Sequence, residues 1–262
     1  MALISAHRCG AGAQVQFDNT RAGVRHALDG DAEYVEFDVQ RCADGSLVLG
    51  HDDSVAQDGR LVPIELLTRA ELELAAGDTC SLVEALELLA GHKRAHIDLK
   101  FTSADALYAT PGSTDEVRAA QIAQSMMGDG GFIITSLEDR SVRAVRDWAD
   151  EQGVSIPVGL SLGRGLAEVP WTARPGVRWG ELFPARRIRA SRANLVVAHR
   201  RLARWGVARW SARHELPLLV WTVDAPATLS RWLTDPRVWM VTTNEPHLAA
   251  QIRDRAHVDV PR

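Results

Sequence analysis

Tyr34-Val35-Glu36-Phe37-Asp38-Val39, followed a turn later by Gly50-His51-Asp52-Asp53, is the stretch on which the reading of this chain depends. Its aromatic and β-branched residues make a strand, and on a strand Glu36 and Asp38 point the same way. Two neighbouring carboxylates repel each other when buried. A hard divalent cation removes the conflict, because such ions take carboxylate oxygens. Ala43-Asp44-Gly45 signals a tight turn and Leu47-Val48-Leu49 a short apolar return, so a hairpin brings His51 level with the two acids. Carboxylates that hold a cation beside a titratable imidazole outline a hydrolytic site.

Working outward, similar units recur. Residues 3–8 read as a strand ending in His7-Arg8, with a loop over 9–13. Asp18-Asn19-Thr20 offers capping side chains to a helix whose Val24, Ala27 and Leu28 stripe closes at Gly30. After His51 come a polar link and helix-like segments near 66–74 and 82–89, then a strand at 95–100 with Asp98 and Lys100 on one face. Strands follow at 132–135 and 156–160, with a helix at 141–149. Residues 179–183 make a weaker strand, and a long Arg-rich helix near 191–215 turns Leu195, Leu202 and Trp205 inward, with Gly206 counting against it. The last strands lie at 216–223 and 238–242, and Pro246 opens a closing helix.

These strands, most of them followed by a helical pattern, predict one (β/α)8 TIM barrel over residues 1–262, with a short helical or loop insertion after the second strand. An open doubly wound sheet is the rival. The polar residues favour the barrel: His7-Arg8, Glu36/Asp38, Asp98/Lys100 and Thr222/Asp224 fall at C-terminal strand ends, where barrels carry their chemistry. The G-x-G-x-x-G turn of a dinucleotide fold is absent, since Gly10-Ala11-Gly12 runs on to Val15 without a third glycine.

Composition narrows the function classes. An apolar share of 46% and a charged share of 24% are those of an ordinary globule, and a net charge of -4 argues against a general nucleic-acid binder. No stretch reaches the apolar length of a membrane span. Three cysteines without metal-type spacing, and an N-terminus that runs from Met1 directly into the first strand, give a cytoplasmic chain as the expectation.

Glu36, Asp38 and Asp98 make a three-carboxylate cation site, with water or substrate completing the oxygen shell. His7 and His51 are the candidate acid and base among nine histidines; the others, His96 included, lack such a setting and are taken as structural. Arg8 and Lys100 add positive charge suited to a phosphate. Trp221 sits near a strand end, where it is either core or a platform for ligand. The basic run from Arg186-Arg187-Ile188-Arg189 to Arg213 is taken as a solvated helix face rather than a nucleic-acid or lipid patch.

The ordered set His7-Arg8, Asp18-Asn19-Thr20, Glu36-x-Asp38-Val39, Asp44-Gly45, His51-Asp52, Asp98-x-Lys100, Trp221-Thr222-Val223 and Thr243-Asn244-x-Pro246 resembles the glycerophosphodiester phosphodiesterase family over nearly the whole chain. The resemblance implies a TIM barrel that uses one divalent cation, Mg²⁺ or Ca²⁺, to hydrolyse glycerophosphodiesters to glycerol 3-phosphate and an alcohol. It implies His7 and His51 as the acid–base pair, Glu36, Asp38 and Asp98 as metal ligands, Arg8 and Lys100 as phosphate contacts, and Trp221 on the glycerol side, with Asp18 as an accessory group. Four positions depart from the family pattern. Cys9 separates His7-Arg8 from Gly10; Asp18 and Asp98 stand where Glu is usual; Asn244 stands where Asp is usual. The related sphingomyelinase D-type phospholipases carry Asp-x-Lys at the place of Asp98-x-Lys100.

Three activities follow as expectations: a glycerophosphodiesterase supplying glycerol 3-phosphate from deacylated phospholipids, a phospholipase D-like enzyme on lysophospholipids or a specialised phosphodiester, with a cyclic phosphate among its outcomes, and a barrel that only binds a phosphorylated ligand. The partner in each case is a small molecule, with no nucleic acid and no membrane span. Residues 163–190, rich in Pro, Gly and Arg, are expected to shape the entrance.

Overall fold

The first strand, β1 (Leu3–Ala6), lies in parallel between the second strand and the last one, Ser5 pairing with Tyr34 on one side and Thr242 on the other. That closure excludes the open sheet. The computed structural model describes residues 1–10, 12, 14–110, 112–167 and 169–258. Ala11 and Ala13 of the expected 9–13 loop, Glu168 of the 163–190 stretch, and Pro111 and residues 259–262 of the expected domain lie outside the described residues.

After β1 come α1 (Arg21–Leu28), β2 (Tyr34–Arg41), β3 (Leu47–Leu49), β4 (Ser54–Gln57), β5 (Arg60–Pro63), α2 (Arg69–Ala76), α3 (Leu82–Leu89) and β6 (Arg94–Leu99). The chain continues through α4 (Asp115–Met127), β7 (Phe132–Ser136), α5 (Asp139–Gln152), β8 (Val158–Leu162), α6 (Arg174–Leu182), α7 (Ala185–Ser191) and β9 (Leu195–His199). It ends with α8 (Arg200–Leu202), a π turn (Ala203–Val207), α9 (Ala208–Arg213), β10 (Leu218–Trp221), α10 (Pro226–Leu233), β11 (Met240–Thr243) and α11 (Pro246–Val258). Eight parallel strands, β1, β2, β6, β7, β8, β9, β10 and β11, close the barrel in that order, and β3 folds back antiparallel on β2.

Three apolar clusters hold the described residues together, the third, of Cys42, Val48, Ile64, Leu67 and Leu72, under the insertion after β2. Phe37, Ile97, Phe132 and Leu160 pack outward among buried faces of the surrounding helices. Tyr34, Ile133, Leu195, Val197, Leu219 and Met240 pack against one another in a second cluster. Full burial of each large side chain contributes about 1.5–3 kcal/mol. Reciprocal capping boxes at Thr68/Glu71 and Ser81/Glu84 start α2 and α3, satisfying helix N–H groups that would otherwise lack partners. Among the described residues, no helix is long and apolar enough to cross a membrane.

The strand expected at 179–183 is instead the end of α6 and the turn after it. The long helix expected at 191–215 contains β9, whose Leu195-Val196-Val197-Ala198 run is fully buried. Arg and Trp at helical spacing masked this β-branched run, which the barrel needs between β8 and β10. The number of strands was right, with one of them misplaced. Beyond β9 the helix breaks at Gly206, whose φ of +157° lies inside the π turn, and Trp205 is 78% exposed rather than inward. The insertion after β2 contains a β4–β5 hairpin where a polar link was expected, ahead of the expected helices. Helix α4 went unassigned in the sequence.

Candidate active site

Strand alternation sets the acidic centre. Glu36 and Asp38 of β2 are 4% and 1% exposed, and Asp98 of β6 stands opposite Asp38 in parallel register. One carboxylate oxygen from each lies within 4.8 Å of the others. The β2–β3 hairpin delivers His51 as its spacing implied: Val39 pairs with Leu49, and Gly50 N–H donates to the Asp38 carbonyl at 3.0 Å. His7, Arg8, Glu36, Asp38, His51, Asp98, Lys100 and Trp221, expected at the site, all line one cavity of about 400 Å³. Asp18 does not line it; it pairs with the Arg8 guanidinium at 3.7 Å.

The loop after His7 follows its own path. Arg8, Cys9 and Gly10 take consecutive φ values of 46°, 72° and 68°. Only glycine fits the third, because a Cβ there would stand 2.7 Å from that of Ala6. The turn presents Arg8 N–H to Glu36 Oε2 at 2.7 Å and buries Cys9. Asp18-Asn19-Thr20 divides its work. Thr20 caps α1, accepting from Gly23 N–H. Asn19 clamps Asp38, donating to its Oδ2 and accepting from its backbone N–H, both at 2.9 Å.

Charge within the centre is unevenly shared. Burial, with Asp38 and Asp98 nearby, pushes the Glu36 carboxyl well above its ordinary range. Burial also acts upward on Asp38, but Lys100 and Asn19 outweigh it and hold that carboxyl low. The Lys100 ammonium lies 2.9 Å from Asp38 and 2.5 Å from Asp98; burial pulls it down, and the two carboxylates more than offset this and raise it. All three candidate ligands are carboxylates, so the donor set fits a hard cation such as Mg²⁺ or Ca²⁺.

His7 Nδ1 lies 2.8 Å from Asn244 Oδ1. The Asn244 amide donates to Asp224 at 3.1 Å, so its oxygen faces His7 and makes Nδ1 the donor. The lone pair of His7 is then on Nε2. Burial lowers the His7 pKa, keeping the ring neutral. His51, with a side chain 43% exposed, has its Nδ1 2.7 Å from Asp52 Oδ1.

Several site groups were not anticipated. His96 lines the cavity and is 3% exposed. Its Nδ1 lies 3.0 Å from Ser5 Oγ and its Nε2 3.1 Å from Thr135 Oγ1, which in turn donates to Asp98 Oδ1 at 2.5 Å. Because Thr135 donates to Asp98, it accepts from His96 Nε2–H, and burial lowers that imidazole to about 4. The signal was in the alternation, since His96 lies two residues before Asp98 on one strand. Asp224 holds Asn244 through both its backbone and side-chain N–H groups. Gly163 and Arg164, from the stretch expected to shape the entrance, also line the cavity, their N–H groups held by the buried Glu181 carboxylate.

With this geometry established, comparison with known proteins decides the family. The model of the glycerophosphoryl diester phosphodiesterase family matches residues 7–248. This chain belongs to that family. It is therefore a phosphodiester-hydrolysing enzyme, as the order of its motifs implied. No curated protein matches it. Among solved structures, a glycerophosphodiester phosphodiesterase from Parabacteroides distasonis is similar at 18% identity and a TM-score of 0.71, covering 97% of this chain and 98% of that one. One from Thermotoga maritima aligns at 19% identity and a TM-score of 0.65, covering 97% and 99%. An Oleispira antarctica phosphodiesterase, solved with the product sn-glycerol-3-phosphate, aligns at 15% identity and a TM-score of 0.68, covering 97% of each chain. At these identities the likeness speaks for the barrel fold, and the family rests on the family model.

Proposed function

We propose that residues 1–262 form one catalytic domain that hydrolyses glycerophosphodiesters to glycerol 3-phosphate and an alcohol, in the cytoplasm. The observation that carries this reading is the convergence of Glu36, Asp38 and Asp98 with Arg8, Lys100, His7 and His51 on one cavity at the mouth of the barrel. Three free, buried cysteines support a reducing compartment.

Glu36, Asp38 and Asp98 would hold the cation, Mg²⁺ or Ca²⁺. When bound, it supplies positive charge that polarises phosphoryl oxygens and stabilises charge developing in the transition state. Arg8 and Lys100 bind the phosphate, with Asp18 steering the Arg8 guanidinium and Trp221 forming a wall for the glycerol moiety. His7, neutral and with Nε2 unprotonated, takes the proton of the attacking hydroxyl. His51, open to solvent, gives a proton to the departing alkoxide and regains one from water. Attack by water yields glycerol 3-phosphate; attack by a hydroxyl of the substrate itself yields a cyclic phosphate.

Replacing His51 by Ala tests the assignment. Turnover of a glycerophosphodiester falls by about 10²–10⁴-fold while cation affinity stays as in the parent. Undiminished turnover would refute the role.

A further inference from the structure

The basic run from Arg186 to Arg213, read from sequence as one solvated helix face, is broken in the structure by the buried β9; its α7 and π turn, with α6 and the turn before it, carry an exposed surface. Four large aromatics stand exposed on it: Trp171 at 78%, Trp179 at 67%, Phe183 at 57% and Trp205 at 78%. The chain has eight tryptophans, and all three of the strongly exposed ones lie here. A monomer rarely leaves so much aromatic surface in water without a use for it.

The exposed aromatics border the cavity mouth. The Trp179 and Phe183 rings lie 4.5 Å apart and share a surface hollow with Arg186 and Asp139. Asp139 opens α5 directly after β7, on the side where the barrel strands end. Helix α6 packs against the π turn that carries Trp205, which begins four residues after β9 ends. The loop leading to Trp171 starts at Gly163 and Arg164, which line the cavity.

Positive charge predominates here. Residues 163–213 hold twelve arginines against two acidic residues, in a chain whose net charge is -4. Arg164, Arg178 and Arg187 are neutralised by Glu138, Glu181 and Asp139, and Arg192 by Asp147 and Asp150. Arg186, Arg201 and Arg204 are exposed and form no ion pair among the described residues.

We propose that this surface docks on an anionic lipid bilayer and sets the mouth of the cavity at the lipid–water interface. Indole rings favour the headgroup level, and unpaired guanidiniums are drawn to anionic lipids. A second copy packed on the same face would set the unpaired arginines of both copies against each other, since a two-fold contact uses one patch twice. The inference is independent of the proposed hydrolysis, because docking is read without substrate.

The test is sedimentation of the full chain with vesicles of phosphatidylcholine alone and of phosphatidylcholine mixed with phosphatidylglycerol. The chain binds the anionic vesicles, and salt weakens the binding. Brominated lipid in the same vesicles quenches the tryptophan fluorescence of the unaltered chain. Combined Trp179→Ser, Phe183→Ser and Trp205→Ser changes, in a variant whose circular dichroism and Tm match the parent, weaken binding about tenfold or more. The proposal is overturned if the chain ignores both vesicle types, or if the variant binds as well as the parent. It is equally overturned if light scattering finds a dimer that the variant loses, or if a single-stranded oligonucleotide binds the patch more tightly than the vesicles.

Discussion

His7 Nδ1 lies 2.8 Å from Asn244 Oδ1, and the Asn244 amide nitrogen lies 3.1 Å from Asp224 Oδ2. The Asp224 charge therefore sits one residue removed from the imidazole, whose tautomer is fixed without that carboxylate against the ring. Exchanging the two, with Asp224→Asn and Asn244→Asp together, brings the carboxylate up against His7 at constant total charge. Burial holds the His7 pKa low, and the adjacent carboxylate raises it. The base form is lost as pH falls through that pKa, so the acid limb of kcat/KM moves to higher pH by about one unit. A pH–rate profile of the double variant checks this; an unmoved acid limb would separate His7 from the base role.

The chain Ser5–His96–Thr135–Asp98 gives the second prediction. Partners behind a metal ligand fix its orientation, and their loss costs about 10- to 100-fold in metal affinity. Thr135→Val removes the donor to Asp98 Oδ1 while keeping the side-chain shape. Calorimetric titration with Ca²⁺ or Mg²⁺ is expected to show weakening in that range.

Glu36 supplies the third. Its carboxyl is raised by burial and by Asp38 and Asp98, so it holds its proton to higher pH than an ordinary carboxyl does. A cation needs the carboxylate, so binding expels that proton, and affinity falls as pH is lowered. Titrations in buffers of different ionisation heat measure the release. Glu36→Gln abolishes the Glu36 contribution and weakens binding.

The cysteines give the fourth. Cys9, Cys42 and Cys80 are buried, and burial pushes Cys42 up to about 11, Cys80 up to about 12 and Cys9 well above its ordinary value. The thiolate is the reactive form. A colourless-to-yellow thiol reagent such as a disulfide dye is expected to label none of the three in the native protein and all three in denaturant. Prompt labelling of Cys9 without unfolding would contradict this burial.

How much was legible in the sequence followed from how locally each feature is encoded. Glu36, Asp38, Asp98 and Lys100 could be read because strand alternation alone sets their direction, and His51 because a short turn sets its return. Closure of β1 on β11 came only from counting units, and the count survived a misplaced strand. β9 was hidden because its four apolar residues are flanked by arginines at helical spacing, and its burial is imposed by β8 and β10. His96 and Asn244 were underestimated for a related reason. Their partners, Ser5, Thr135 and Asp224, are distant in the chain, and no local pattern announces a hydrogen bond across the barrel.

The central claim is cation-dependent cleavage of a glycerophosphodiester at this site. The most direct measurement is product release from a panel of glycerophosphodiesters with different alcohols, with Mg²⁺ or Ca²⁺ added and with a chelator, scoring glycerol 3-phosphate separately from cyclic phosphate. The account predicts glycerol 3-phosphate, released with the cation present, abolished by the chelator and restored on adding the cation back. No turnover of any member of the panel, by a protein that calorimetry finds loaded with cation, would contradict it.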